Sequence, residues 1–117
     1  MQTSNTKLEP VLENKLKEDL AILLSDLKKP DLVLEFLSTF LTNTELLVLA
    51  KRLAILKRLH ENHSYEQIQK DLAVSSATIS SVAQIKDTSV SSRIVDAINV
   101  HDWASVTADK IRVWLAK

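Results

Sequence analysis

The decapeptide SSATISSVAQ, Ser75 to Gln84, carries the groups in this chain best suited to recognising another molecule. If it is helical, Ile79 and Val82 fall on one side and Ser76, Ala77, Ser80, Ser81 and Gln84 on the other. Serine hydroxyls can bond phosphate oxygens or base edges. An alanine methyl can touch a thymine methyl, and a glutamine amide can address adenine. Ser75, placed to cap such a helix, also sits where free backbone N–H groups favour a phosphate. The plain alternative is a solvated face, since small polar residues are what such a face contains. Lys70 and Lys86 flank the segment as phosphate partners, whereas Lys51, Lys57 and Arg58 read as solvated charges.

Other chemistries fit less well. His60 and His63 flank a turn, but there is no cysteine and only Glu61 lies close by, so no metal site is expected. No serine has a base and an orienting acid at a recognisable spacing. The chain is therefore not expected to be an enzyme or to need a cofactor.

The elements that must position Ser75 to Gln84 are legible as helices. Pro10 opens a helix to about Lys28 with Leu12, Leu16, Leu20, Leu23, Leu24 and Leu27 on one side. Pro30 breaks it, and Asp31 to Leu41 follows. Thr42-Asn-Thr-Glu45 has the form of a capping box for a helix running to about His60. A second box, Ser64-Tyr-Glu-Gln67, starts a short helix that ends near Leu72. Ser75 caps another to about Lys86, Asp87 to Ser92 forms a polar connection, and Ser92–Val100 and Thr107–Leu115 are two final helices. In the last two, Ile94, Val95, Ile98, Val106, Ile111, Trp114 and Leu115 are the groups to be buried, and Trp103 and Trp114 are packing residues. Glycine is absent, so Asn43, Asn62 and Asn99 are the substitutes for left-handed positions.

Around the joint, Ile68, Leu72, Val74, Ile79 and Val82 do not fit one helical stripe. Two helices meeting at Ala73-Val74-Ser75 reconcile them, with Val74 plugging the corner and Ile79 and Val82 packing back on Ile68 and Leu72. This is helix-turn-helix spacing, with two departures. Gln69 stands where a small residue commonly lets helices approach, and Ala73 replaces the usual turn glycine. An alanine there costs about 1 kcal/mol if its φ is positive.

Composition bounds the partners. The 117 residues suffice for a single all-helical domain, 45% of them are hydrophobic, and formal net charge is zero. Bulk electrostatic attraction is thus not indicated. Only the middle, Leu37 to Lys86, is mildly basic, with six bases against four acids. No apolar run reaches the roughly 20 residues of a membrane span, and the N-terminus is polar, so a cytoplasmic location without a membrane is the expectation.

The segment LTNTELLVLAKRLAILKRLHENHSYEQIQKDLAVSSATIS resembles the Trp repressor family. The matching features are Leu41-Thr42 with Glu45, Arg52, the hydrophobic row to Leu59, Ser64-Tyr65, Ile68, Leu72 and Ala77-Thr78-Ile79-Ser80, within roughly residues 32–82. The resemblance implies an all-α, Trp-repressor-like helical bundle forming an intertwined homodimer. Helices in 10–60 would make the core and dimer, 64–86 the helix-turn-helix, and 92–117 the C-terminal helices. It also implies a regulator that reads the major groove of double-stranded DNA. In the tryptophan-responsive member two arginines and a threonine help hold the amino acid. Thr42 and Arg52 match two of those places, but the third is Ser81. Without that planar partner, tryptophan is not the expected effector, and another small molecule near Thr42, Arg52 and Ser81 is the remaining option. Arg52 is otherwise expected in a buried or interface ion pair. The rival reading is a helical protein-interaction module that has lost DNA binding.

Overall fold

In a computed structural model of the chain, which describes residues 6–116, there are six helices and no strand among the described residues. They are α1 (Pro10–Leu27), α2 (Pro30–Phe40), α3 (Asn43–His60), α4 (Tyr65–Leu72), α5 (Ser76–Ala83) and α6 (Ser89–Leu115). The described residues divide into two units, one ending at Leu46 and the other beginning at Leu47.

In the first unit α1 and α2 pack on each other. Each opens with a proline in its first turn, where a missing N–H costs nothing. Neither helix buries a residue, and Leu12, Leu16, Leu20 and Leu23 of the expected stripe stay exposed within the chain. The capping box at the start of α3 is complete: the Thr42 N–H donates to Glu45 Oε1 at 2.9 Å, and the Glu45 N–H donates to Thr42 Oγ1 at 3.1 Å. The backbone N–H of Thr42 first, and then its hydroxyl, hold the Glu45 carboxyl below its ordinary range.

The second unit contains the core. Ile55, Leu56 and Leu59 of α3, Ile68 of α4, Ile79 and Val82 of α5 and Val95 of α6 are buried together, with Leu72, Val74, Ala83 and Ile94 packed around them. Val74 fills the corner, and Ile79 and Val82 join Ile68 and Leu72, as the spacing requires. Each such side chain contributes roughly 1.5–3 kcal/mol by leaving water. Exposed ion pairs contribute about 0–1 kcal/mol, so burial, not charge, holds these four helices together.

With no glycine available, three of the described residues take the left-handed conformation: Lys28 (φ 58°), Asn62 (φ 62°) and Ala73 (φ 53°). Asn62 is among the asparagines expected there. It closes α3 with paired bonds, its own N–H to Leu59 O and the His63 N–H to Arg58 O, each 3.1 Å. The other two asparagines are a correction: Asn43 is the first residue of α3 and Asn99 lies inside α6, and Lys28 serves α1 instead. Three further corrections concern elements. The Gln67 side chain does not return to Ser64 but donates to Asp71 Oδ1 at 2.7 Å, so only the Ser64 half of the second box forms. α5 ends at Ala83 rather than near Lys86, and Gln84 to Asp87 is a turn. The two expected C-terminal helices are one, α6, capped by Thr88, whose Oγ1 accepts from the Ser91 N–H at 3.1 Å.

The cause of that last misreading is physical. No proline or glycine interrupts 89–115, so nothing breaks the helix. Burial ends instead, while the helix continues. Ser91, Ile94, Val95 and Ile98 face the core, whereas Val106, Ile111, Trp114 and Leu115 remain exposed. Trp103 and Trp114 are 69% and 71% exposed, so within the chain they are not the packing residues expected.

Ala73 is the strained residue of the joint, because its methyl crowds the carbonyl in the left-handed region. Ala73→Gly is expected to raise stability by about 0.5–1 kcal/mol, and Ala73→Val, β-branched, to lower it by about 1–2 kcal/mol. Urea denaturation followed by circular dichroism checks both. A destabilising glycine would show that the turn is not strained.

Candidate nucleic-acid interface

α5 is eight residues long and held at three points. Ser75 caps it: Ser75 Oγ accepts from the Thr78 N–H at 3.2 Å and lies 2.9 Å from Thr78 Oγ1. Ile79 and Val82 bury the inner side. At the near end, the left-handed Ala73 is followed by Val74 and the extended backbone of Ser75, so α5 departs from α4 within three residues. These constraints leave Ser76, Ala77, Ser80 and Ser81 together on the exposed side, with Ser75 exposed at the tip. Gln84 is exposed just past the end of α5, and Lys70 is exposed on α4. Lys86 is half-buried in the following turn.

The cations expected to be merely solvated hold the motif in place, which corrects that reading. The Lys51 ammonium donates to the Ala73 carbonyl at 3.3 Å, putting a positive charge at the C-terminal end of α4, where exposed carbonyls favour it. Arg58 pairs with Asp71 at 2.7 Å, tying α3 to α4. Lys57 pairs with Asp102 at 2.7 Å, tying α3 to α6. The Gln67 amide bond, and then Arg58, hold the Asp71 carboxyl below its ordinary range. Lys57 does the same to Asp102, which in turn raises Lys57.

His60 is a structural residue that sequence reasoning missed. Its Nε2 lies 3.1 Å from the Lys86 carbonyl and 2.9 Å from Ser91 Oγ. A carbonyl only accepts, so Nε2 carries the hydrogen. The imidazole thereby fixes the turn leaving α5 to the end of α3, and Ser91 is 99% buried beside it. His63 points elsewhere: its Nδ1 is buried without a partner. No group of three or more metal-binding side chains occurs among the described residues.

Each of the three residues matched to an effector site is exposed within its own unit. Thr42 is exposed in its capping box, and Ser81 is exposed on α5. Arg52 is exposed on α3 with no ion pair among the described residues, which corrects the buried-pair expectation for this chain. Three shallow clefts, about 330, 430 and 260 Å³, are lined instead by residues of α6 and of α1–α2.

An all-helical chain in which a capped short helix projects small polar side chains from a helix-turn-helix defines a class of protein, not yet a family. The family model described as Trp repressor protein matches residues 15–91, more than half of the 117 residues. The chain belongs to the Trp repressor protein family, one of DNA-binding helix-turn-helix regulators. No curated protein and no solved structure matches it.

Because the Asp71 carboxyl titrates lower in the folded chain than in the unfolded one, its contribution is complete above the ordinary aspartate range, about pH 4. It is lost as pH falls through the lower folded value. Asp71→Asn should therefore be less stable than the parent at neutral pH and lose less on acidification below about pH 4. Thermal unfolding between neutral and acid pH measures this, and parallel acid limbs would refute the tether.

Proposed function

We propose that this protein is a sequence-specific transcriptional regulator that binds double-stranded DNA as a homodimer, with α5 in the major groove. The observation that carries the reading is the exposed row Ser76, Ala77, Ser80 and Ser81 on a capped helix whose other side is locked into the core, in a chain of this family. Hydroxyls of Ser80 and Ser81 would reach base edges, and the Ala77 methyl a thymine methyl. Ser75, Ser76 and the N-terminus of α5 would take a phosphate, and Lys70, Lys86 and Gln84 would bond the flanking backbone or bases. The short helix α4 would lie across the backbone.

The first unit supports the homodimer. α1 and α2 fully bury no residue within their own chain yet carry a broad leucine row, which a second copy would cover. Helices in 10–60 would interlock, and two α5 helices would read half-sites about one helical turn apart. The proposed effector is a small molecule other than tryptophan, lodged near Arg52 and Ser81. No helix among the described residues is long and apolar enough to cross a membrane, and the cytoplasm is the proposed location.

A second reading has its own support. Net charge is zero, and Lys51, Lys57 and Arg58 are engaged within the chain. A surface with few free cations suits a protein partner on α5 as well as DNA.

The measurement that separates them is binding to genomic DNA fragments at low and moderate salt, comparing the parent with Ser80→Glu/Ser81→Glu. The parent should prefer particular fragments, weaken about tenfold or more as salt rises from 50 to 200 mM, and lose binding in the double variant. Absence of sequence preference, with the variant indistinguishable from the parent, would refute the regulator. A protein retained on α5 without DNA would establish the second reading.

A further inference from the structure

α6 runs on past Ser91, where the family match ends, and beyond Ile98 its apolar side chains are exposed on both sides, Val106 and Val113 in line with Val95 and a second row opposite them. One side carries Ser91 and Val95 in the core and Asp102 on Lys57. At about 100° per residue, Val100, Trp103, Thr107, Ile111 and Trp114 form a row on the opposite side. Val100 is 66%, Trp103 69%, Ile111 52% and Trp114 71% exposed, and both tryptophans of the chain lie here.

We propose that this row is a homotypic contact, in which α6 of a second copy packs antiparallel with Thr107 on the twofold axis. The spacing is symmetric about Thr107, with Trp103 and Ile111 four residues to either side and Val100 and Trp114 seven. An antiparallel twofold therefore sets Trp114 against Val100 of the second copy, and Trp103 against its Ile111. At each level off the axis a large side chain meets a smaller one, and one surface serves both partners, as an isologous interface requires. The area is adequate. Two mostly exposed tryptophans with Val100 and Ile111 offer roughly 500 Å² per copy, on the order of 1,000 Å² in all, the lower bound for a specific interface. The row contains no cation, which disfavours a phosphate-bearing surface as occupant, and neither copy repels the other, since net charge is zero. This contact is independent of the α5 reading and of the leucine row on α1.

The chain has no cysteine, so single thiols can be placed at will. In the full-length protein at micromolar concentration, Thr107→Cys should give a covalent dimer with a short bismaleimide. Val100→Cys should not, because the antiparallel register holds the two copies of residue 100 about 21 Å apart along the helix. Mixing Val100→Cys with Trp114→Cys should restore the cross-link. Adding Ile111→Glu to Thr107→Cys should lower the yield about tenfold by burying a carboxylate, with helix content unchanged by circular dichroism. Equal cross-linking at residues 100 and 107 would mean random collision and overturn the proposal. Cross-linking that ignores Ile111→Glu would do the same. So would no cross-link at 107 while tryptophan emission is shielded from quencher, since another surface would then cover the row. A dimer that keeps its mass despite Ile111→Glu, with cross-linking lost, leaves the α1 dimer standing and confirms α6 as a separate contact.

Discussion

The burial of Ile79 and Val82 against α3 and α4 is the interaction on which the presentation of α5 depends. An eight-residue helix is too short to persist alone in water, because nucleation fixes several residues before many bonds form. α5 exists because two side chains are inserted into the core and Ser75 satisfies an orphan donor at its start. Neither task uses Ser76, Ala77, Ser80 or Ser81. The outward residues are thus free of structural duty, and recognition can be set by them without disturbing the scaffold. The same division explains why the Ala73 strain is tolerated. A cost of about 1–2 kcal/mol in the left-handed region is small beside the burial of Ile68, Ile79 and Val82 that the turn makes possible.

Much of this was legible in the residues. The Thr42–Glu45 box, the Ser64 and Ser75 caps, and the off-stripe position of Val74 are local signals, set by spacings of three or four residues. The contacts of Lys51, Lys57 and Arg58 were not legible, since each reaches a partner 13 to 45 residues away that only the packing of α3 brings near. His60 escaped for the same reason: its partners, Lys86 and Ser91, lie beyond the joint. The use of Lys28 at a left-handed position carries no side-chain signal at all. Of the candidate site, the exposed side of α5 followed from periodicity, whereas its end at Ala83 did not, because no breaker residue stands there.

The α3 cations also bear on how a neutral chain could meet DNA. Three positive charges of the mildly basic middle are spent on fixing α4, the turn and α6, leaving Lys70 and Arg52 as exposed cations near the joint. Phosphate attraction is correspondingly small, so a larger share of any affinity must come from hydroxyl, methyl and backbone N–H contacts of α5. Such contacts are short-ranged and demand a rigid reader. The tethers supply that rigidity: Arg58–Asp71 sets α4 on α3, Lys51 holds the turn carbonyl, and His60 holds the exit at Lys86. Charge in this protein serves geometry first.

α6 shows how one helix can answer two demands. A helix that packs on a core needs one apolar side, and its moment points inward throughout. In α6 burial ends near Ile98, Val106 and Val113 prolong the inward side in exposed positions, and the row from Val100 to Trp114 stands on the other side, without a break in the backbone. Had the second half been an idle extension, a polar exterior would be the cheaper solution in water, because each exposed tryptophan leaves a large apolar surface unburied. Two tryptophans, a valine and an isoleucine in a register symmetric about Thr107 are a pattern with a purpose beyond the fold of one chain. The inner row completes the core behind α5, and the outer row waits for a surface shaped like itself.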